Sequence, residues 1–322
     1  MQLTRFYGRS LGTVKTDRRS TVAYNFITFD VPGATDTEAY GVNDAGWIVG
    51  RYVDGAGTHG FLNTNGVVTP IDIPGATETF AHGVNNAGQI VGYSTNTAIP
   101  GVFPGYLDIN GAFLPINTPD MTYTWAQDVN NAGQIVGDSA APGQDFRPFV
   151  DTYGYFTSFQ YPGDGETHAN GINDAGHIVG VFTEHPNTVD QVNHGYLNVN
   201  GVFTLIDAPN AIHTFVYGIN NSDQIVGTYV DTKGTHGFLY EDGEFTTIHV
   251  PYAGSTFVHG VNNSGEFVGF YMDTTGKHAF LAMPNDATPS KIPVIAVAAA
   301  AGLGVLGLAL SKRHAPAPDK TD

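Results

Sequence analysis

Four histidines recur at one position of a repeated segment and are the first candidates for chemistry. They are His59, His194, His236 and His278, each followed by Gly or Ala, an aromatic residue and Leu. Imidazole binds metals and transfers protons near neutral pH, so a ring of histidines is a candidate metal site. Zinc ligands must all lie about 2 Å from the ion, whereas equivalent strands of different repeats stand well apart. We therefore predict that each histidine hydrogen-bonds a neighbouring strand or blade, as buried polar groups generally do.

A second candidate site lies where the repeats differ. Each repeat contains one anchoring asparagine, and the residues five and three positions before it vary freely. The outer position holds Glu38, Phe80, Trp125, His168, Phe215 and Phe257, and the inner position holds Tyr40, His82, Gln127, Asn170, Tyr217 and His259. Residues two apart on a strand point to the same side. If this strand is innermost in a ring, both sets gather near one mouth of a central channel.

Aromatic rings, imidazoles, amides and a carboxylate in a concave surface suit a glycan or another small polar ligand. The predicted ligand-binding residues are Glu38, Tyr40, His82, Trp125, Gln127, His168, Asn170, Tyr217 and His259. The alternative is that the large side chains pack between repeats, and it holds best for the phenylalanines, which have no polar group. Alanine at His82 or His259 is expected to weaken ligand binding without lowering the melting temperature.

No motif in the chain predicts a catalytic residue or a cofactor. The recurring Asn-Asp/Asn-x-Gly segments lack the alternating oxygen ligands and terminal Glu of a calcium loop. No motif in the sequence therefore supports calcium binding. These segments read as hairpin turns with a glycine bulge. Asp54, Asp231 and Asp273 read as residues that start turns. The chain has no cysteine, which excludes disulfides, thiolate metal sites and a Cys nucleophile.

The elements that position these residues are six copies of one four-stranded unit. The anchoring asparagines are Asn43, Asn85, Asn130, Asn173, Asn220 and Asn262, at intervals of 42, 45, 43, 47 and 42 residues. Such intervals are typical of propeller blades. The segment from Phe26 to Val31 is a fourth strand with no blade before it, and the segment from Lys277 to Ala282 is a third strand with no fourth strand after it. The pattern predicts an all-β, six-bladed β-propeller of four-stranded blades, closed by the N-terminal strand pairing into the last blade.

The repeated Gly-Val/Ile-Asn-Asn-Ala-Gly-Gln-Ile-Val-Gly block with its His-Gly/Ala-Phe segment resembles the bacterial extracellular repeat family named HAF, after the tripeptide found here at His278-Ala279-Phe280. The resemblance covers residues 25 to 282. It implies an extracellular location and a propeller-like fold, and it implies no defined reaction.

The charge of the repeat region excludes one class of partner. From residue 21 to 290 there are only four basic residues against 27 acidic ones, a net charge of −23. Such a surface repels phosphate backbones, so no nucleic-acid partner is expected. It would attract cations or keep a secreted protein soluble.

The C-terminal region predicts a membrane anchor. Residues 292–311 are predicted to form an apolar helix long enough to span a bilayer. The basic residues directly after it are expected to stay cytoplasmic, which would place the propeller outside. The predicted domains are a basic, disordered arm (1–24), the propeller (25–283), a linker (284–291), the transmembrane helix (292–311) and a cytoplasmic tail (312–322). The tail resembles a PEP-CTERM-type sorting segment without its Pro-Glu-Pro motif.

No signal peptide is visible in residues 1–24. Either the chain starts downstream of the true N-terminus, or export is atypical, or the protein is tail-anchored facing the cytoplasm; the first is favoured here.

Three functions are compatible with these patterns. The favoured one is a non-catalytic binding or scaffold module at the cell surface, engaging a glycan, a protein or cations. The second is a carbohydrate-active lyase or hydrolase at the channel mouth, with Glu38 and His168 as acid and base. The third is a structural element of an envelope layer. The fold class hosts all three.

Overall fold

In the computed structural model, residues 24–95, 103–163, 165–186 and 188–285 are described, and they form 24 β-strands without an intervening helix. Strand β1 (Tyr24–Phe29) precedes the first complete blade. Blade 1 consists of β2 (Asp36–Val42), β3 (Ile48–Val53), β4 (Thr58–Thr64) and β5 (Val67–Ile71). Blade 2 consists of β6 (Glu78–Val84), β7 (Gln89–Thr95), β8 (Gly105–Ile109) and β9 (Ala112–Ile116). Blade 3 consists of β10 (Tyr123–Val129), β11 (Gln134–Ala140), β12 (Arg147–Thr152) and β13 (Tyr155–Ser158).

The second half of the ring repeats this order. Blade 4 consists of β14 (Gly165–Ile172), β15 (Ile178–Glu184), β16 (Val192–Val199) and β17 (Val202–Ile206). Blade 5 consists of β18 (His213–Ile219), β19 (Ile225–Asp231), β20 (Gly234–Glu241) and β21 (Glu244–Ile248). Blade 6 consists of β22 (Ser255–Val261), β23 (Phe267–Met272), β24 (Lys277–Pro284) and, as its outermost strand, β1.

The pairing of β1 with β24 confirms the predicted seam. The two strands run antiparallel, from Tyr24 opposite Pro284 to Phe29 opposite Ala279. The last blade therefore obtains its fourth strand from the other end of the chain. Neighbouring inner strands contact one another all the way round, including β22 with β2, so the four-stranded blades form a closed six-bladed propeller.

The core lies between the blades, and the repeated frame residues build it. The aromatic residue of each third strand is buried, as Phe61 and Tyr196 illustrate. Its ring packs over the glycine that ends the Ile-Val-Gly segment of the second strand; a Cβ on Gly50 would lie 2.8 Å from the ring of Phe61 and would clash with the backbone of Glu38. The glycine is therefore needed for this close approach.

The anchoring asparagines sit in the turns between the first and second strands. In blade 1, Asn43 Oδ1 accepts the backbone N–H groups of Ala45 (3.1 Å) and Trp47 (2.9 Å), and Gly46 takes a positive φ of 75°. These are the hairpin turns with a glycine bulge that the sequence predicts. We call the side of the ring that carries them the turn face, and the side that carries the loops between second and third strands the loop face.

The described residues contain no helix capable of crossing a membrane. The predicted transmembrane helix at 292–311, the N-terminal residues 1–23 and the tail after 285 lie outside the described residues.

Candidate functional site

The inner strand of every blade carries a second bulge, and this bulge aims one side chain at the axis. In blade 1 the register with β3 shifts between Ala39 and Gly41, which leaves Tyr40 unpaired. The other blades shift in the same way. Bulges re-aim side chains, and the structure brings the six bulge residues together around a narrow channel space of about 50 Å³. They are the predicted inner set, Tyr40, His82, Gln127, Asn170, Tyr217 and His259.

Four of these side chains fill much of the channel by stacking. The ring centroids of Tyr40 and His82 are 4.6 Å apart, and those of Tyr217 and His259 are 4.2 Å apart. Burial lowers the pKa of His82 to about 3 and that of His259 to about 4, and it raises the pKa of Tyr217 to about 12. The channel is therefore lined by uncharged rings at neutral pH.

In blades 6, 1 and 2, the side chains at the outer position are engaged in contacts within the protein. Glu38, only 3% exposed, binds Arg51 at 2.6 Å and Lys277 at 2.7 Å, and it accepts the Tyr40 hydroxyl at 2.7 Å. Burial opposes the charge on Glu38, but the hydrogen bonds from Lys277 and Arg51 outweigh it and lower its pKa. The carboxylate of Glu38 is thus engaged within the protein, across the seam between β2 and β24.

The phenylalanines on this side pack against the strand next to them. Phe80 stacks on Tyr93 at 4.7 Å between ring centroids, and Phe257 stacks on Phe270 at 4.5 Å. In both pairs the residues lie directly opposite each other on the first and second strands. These contacts lie within one blade, whereas the sequence-based alternative placed such packing between repeats.

The side formed by blades 3, 4 and 5 is open. A cavity of about 320 Å³ lies there, at the loop face, and we call it the blade 3–5 cavity. Four predicted residues line it, and they are Trp125, Gln127, His168 and Asn170. Phe215 from the outer set also lines it, together with Asp138, Glu166 and Asn193. The volume is at the lower end of the range of about 300–1,000 Å³ for small-molecule sites.

The polar centre of this cavity is an imidazole between two carboxylates. His168 donates from Nδ1 to Asp138 Oδ2 at 3.1 Å, and its Nε2 lies 3.8 Å from Glu166 Oε2. Asp138 is only 2% exposed, and its Oδ1 accepts the backbone N–H of Ala169 at 3.1 Å. Burial opposes the charge on His168, but Asp138 and, less strongly, Glu166 outweigh it and raise the pKa of the imidazole.

The apolar wall of the cavity is built around Trp125. The indole stacks on Phe146, from the loop between β11 and β12, with centroids 4.4 Å apart and planes at 26°. Tyr93 and Phe103 support the same ring from blade 2. The cavity thus combines a large aromatic surface with a hydrogen-bonding group of carboxylates, imidazole and amides.

The nine predicted site residues therefore fall into three environments. Trp125 and His168 line the cavity, and Gln127 and Asn170 line both the cavity and the channel. The channel alone holds Tyr40, His82, Tyr217 and His259, and Glu38 belongs to the ion-pair cluster. Glu38 in blade 1 and His168 in blade 4 have two blades between them on either side of the ring. The structure therefore does not bring them together as an acid–base pair, because equivalent positions of non-adjacent blades face each other only across the axis.

Sequence reasoning missed Asp138 and Glu166. Asp138 lies eight residues after the anchoring Asn130, a position that also varies among the repeats and holds Arg51, Tyr93, Asp138, Val181, Thr228 and Phe270. The hairpin register places it directly opposite the outer position, Trp125 in this blade. A comparison of the second strands, copy by copy, would have identified it.

The recurring histidines hydrogen-bond carboxylates of adjoining strands, as predicted. The Nδ1 of His59, His194 and His278 lies 2.7–2.9 Å from Asp72, Asp207 and Asp30 at the end of the adjoining fourth strand, and His236 contacts Asp231. Asp54, Asp231 and Asp273 each accept backbone N–H groups of their own loops, which confirms their predicted role in turns. Within the described ranges, no group of three or more His, Asp or Glu side chains is arranged to hold a metal ion.

No protein-family profile matches this chain, and no curated protein matches it. Among solved structures, it is similar to a streptogramin B lyase with a TM-score of 0.47 at 14% identity, covering 80% of this chain and 97% of that one. It is also similar to the β-propeller domain of the trilobed protease from Pyrococcus furiosus (TM-score 0.49, 11% identity, 82% and 99% covered) and to the fucose-specific lectin from Aleuria aurantia (TM-score 0.45, 10% identity, 78% and 88% covered). These likenesses transfer no ligand and no activity.

Proposed function

We propose that the protein is a saccharide-binding module whose ligand occupies the blade 3–5 cavity. The observation that carries this proposal is the asymmetry of the loop face. The same outer positions that are closed by ion pairs and stacked rings in blades 6, 1 and 2 leave a cavity of about 320 Å³ in blades 3 to 5.

The chemistry of the cavity fits a sugar ring. A pyranose has apolar C–H faces that lie on aromatic rings and hydroxyl groups that need both donors and acceptors. Trp125 and Phe215 supply the aromatic surface, and Glu166, His168 and Gln127 supply polar atoms. Protein phosphate sites instead rely on Lys, Arg or backbone N–H groups, and no Lys or Arg lines this cavity.

The site is also rigid before a ligand arrives. Trp125, His168 and Asn170 stand on inner strands, and Asn170 donates to the backbone oxygen of Val216 in the next blade at 2.7 Å. Asp138 holds the imidazole of His168 in place. A site whose side chains are already ordered loses less conformational entropy on binding.

Fluorescence tests the proposal, because the chain has only two tryptophans. Trp47 lies in the blade 1 turn at the turn face, so Trp47→Phe leaves Trp125 as the single indole. We expect soluble saccharides, titrated into this full-length variant, to change the Trp125 emission with saturation. Calorimetry on the unmodified chain should give the same Kd.

The matched control is Trp125→Phe, which keeps only Trp47. Its emission should not respond to the same saccharides, and its affinity by calorimetry should fall about tenfold, since stacking of this kind contributes about 1 kcal/mol or more. Absence of heat and of emission change across neutral, basic and acidic saccharides would overturn the proposed function.

We further propose that the propeller is displayed at the cell surface and anchored by residues 292–311. The apolar character of that segment and the resemblance to HAF repeats support this location. Protease treatment of intact cells should release the propeller; full protection of the propeller with an accessible C-terminal tail would contradict the proposal.

A second candidate, a carbohydrate-active enzyme, is favoured by the Asp138–His168 pair. A buried carboxylate that orients an imidazole is the arrangement of a general base, and Glu166 lies 3.8 Å from the other ring nitrogen. Incubation with polysaccharides would decide between the two functions. Product release by the unmodified chain that His168→Ala abolishes would favour catalysis, and binding without product would favour the module.

A further inference from the structure

We propose that the blade 3–5 cavity selects saccharides that carry a free, protonated amino group over their neutral and acidic counterparts. This inference rests on the proposed function and concerns the ligand class of the same cavity. It is carried by the charge of the lining residues and by the hydrogen bonds that they already make.

The cavity has one more negative charge than it can balance internally. Its ionisable lining residues are Asp138, Glu166 and His168. A protonated His168 lies between Asp138 at 3.1 Å and Glu166 at 3.8 Å, so two carboxylates share one cation and a net charge of −1 remains among the lining residues. A net negative charge in a partly enclosed site attracts a cationic ligand group.

Glu166 is held in position with one oxygen available. Its Oε1 accepts the backbone N–H of Phe146 at 3.0 Å, which fixes the side chain against the aromatic wall. The remaining oxygen, Oε2, is the atom that faces His168 Nε2 at 3.8 Å, beyond hydrogen-bonding distance. Because the carboxylate is already ordered, pairing with a ligand ammonium requires no rearrangement of it.

The two carboxylates of the lining favour a ligand group that donates hydrogen bonds. Asn170 Nδ2 already donates to Val216 O. The ionised carboxylates of Asp138 and Glu166 can accept hydrogen bonds but cannot donate them. An ammonium group offers three donors and no acceptor. The lining residues therefore match a sugar amine better than a sugar carboxylate, which would bring a further negative charge beside Glu166.

The sequence around the cavity residues is also strongly acidic, so it adds to the negative electrostatic potential of the cavity. From residue 105 to 206 the sequence contains a single basic residue, Arg147, against 11 acidic ones. Arg147 is exposed and is not among the residues that line the cavity. A cleft lined by one sign of charge concentrates ligands of the opposite sign. Aromatic faces at Trp125 and Phe215 add to this, since ring faces attract cations.

The test compares three trisaccharides that differ at one group on each ring with a fourth that is acidic. Cellotriose carries a hydroxyl where the glucosamine trisaccharide of chitosan carries an ammonium, and the N-acetylglucosamine trisaccharide of chitin carries a neutral amide there. Trigalacturonate supplies the acidic member. Calorimetry on the full-length chain, at a mildly acidic pH that protonates the amine, should show the glucosamine trisaccharide binding about tenfold or more tighter than cellotriose. Trigalacturonate should bind most weakly.

Two glutamate variants separate the cavity from the general negative charge of the protein. Glu166→Gln should abolish the preference for the amine, so that the glucosamine trisaccharide no longer binds tighter than cellotriose. Glu184→Gln removes the same charge from the same blade, but Glu184 is exposed and does not line the cavity, so the preference should persist. Melting temperatures of both variants establish that they are folded.

The outcomes distinguish the ligand class from the function. Equal binding of glucosamine and neutral trisaccharides, a preference for trigalacturonate, or a preference for the amine that Glu166→Gln leaves intact would each overturn the inference while the saccharide-binding function stands. Absence of binding to all four trisaccharides, and to the wider saccharide panel, would overturn the proposed function itself.

Discussion

At the scale of single residues, burial in the channel shifts the pKa of a carboxyl group and of two imidazoles in opposite directions. Asp128 occupies a position that is glycine in the other five repeats. Burial raises its pKa to about 6, although the backbone N–H groups of Ile172 and Val129 stabilise the carboxylate. His82 and His259 are shifted the other way, because burial disfavours the imidazolium. The group that gains protons on folding and the groups that lose them lie in one narrow space.

The two histidines make the fold sensitive to mild acid. In the unfolded chain, each histidine binds a proton below its ordinary pKa of 6.5. In the folded protein, the pKa is lowered to about 3 for His82 and about 4 for His259, so each imidazole stays neutral until the pH falls to that value. Between these values the unfolded state holds the extra proton, so stability is full above pH 6.5 and falls as the pH decreases. Protonation of each histidine in the unfolded chain should lower the free energy of unfolding by about 2 kcal/mol between pH 7 and pH 5, at 1.36 kcal/mol per pKa unit.

His82→Phe keeps the aromatic stack on Tyr40 and removes the titration. We expect its urea-denaturation midpoint to fall less than that of the unmodified chain between pH 7 and pH 5. The exposed His249→Phe is the control. Equal pH dependence in His82→Phe and the unmodified chain would show that His82 titrates normally. The stacking of His82 also changes the sequence-based expectation for alanine, since His82→Ala should now lower the melting temperature by removing this contact.

At the scale of elements, the turns form two closed rings of hydrogen bonds. Each anchoring asparagine donates from Nδ2 to the backbone oxygen of its counterpart in the next blade, from Asn43 to Asn85 and finally from Asn262 back to Asn43. The following residue repeats the pattern with backbone N–H donors, from Asp44 to Asn86 and finally from Asn263 back to Asp44. The repeated Asn-Asp/Asn pair therefore closes each hairpin and links it to its neighbour.

Asn220 and Asn221 provide a matched test of the two rings. Asn220 is buried, donates to Asn262 O at 2.9 Å and accepts from the backbone of Ser222 and Gln224. Asn220→Ala should lower the free energy of unfolding by about 2–3 kcal/mol, because it leaves buried backbone groups unpaired. Asn221 is exposed, so Asn221→Ala should cost less than about 1 kcal/mol. Chemical denaturation measures both, and equal losses would contradict a dominant role for the buried ring.

At the scale of the whole molecule, closure depends on a strand more than 240 residues away from its partner. Tyr24 and Phe26 on β1 pack against Phe267 and Phe280 of the last blade, with ring centroids 4.6 and 5.7 Å apart. The ion pair of Lys277 with Glu38 joins the last blade to the first. The seam is therefore held by an outer strand, by aromatic packing and by a buried charge.

Removing β1 tests this closure. A chain lacking residues 1–30 should melt at a lower temperature and self-associate in sedimentation, because the unpaired edge of β24 becomes a template for another strand. A chain lacking residues 1–20 retains β1 and should behave like the full chain. A monomeric protein with an unchanged melting temperature after loss of residues 1–30 would show that the ring closes without the seam.

The sequence by itself determined the number of blades, the seam and the positions that vary around the axis. These features depend on local patterns, namely the hairpin turns at the asparagines and the alternation along the inner strand. Each pattern recurs in all six copies of the repeat. The tertiary structure decided which variable positions are available to a ligand. Glu38 is engaged by Arg51 from the next strand and by Lys277 from the far end of the propeller, whereas His168 meets Asp138 from the neighbouring blade beside an open cavity. The pairings of Glu38 with Lys277 and of His168 with Asp138 join side chains of different blades, which approach only in the assembled ring, so no single repeat contains them.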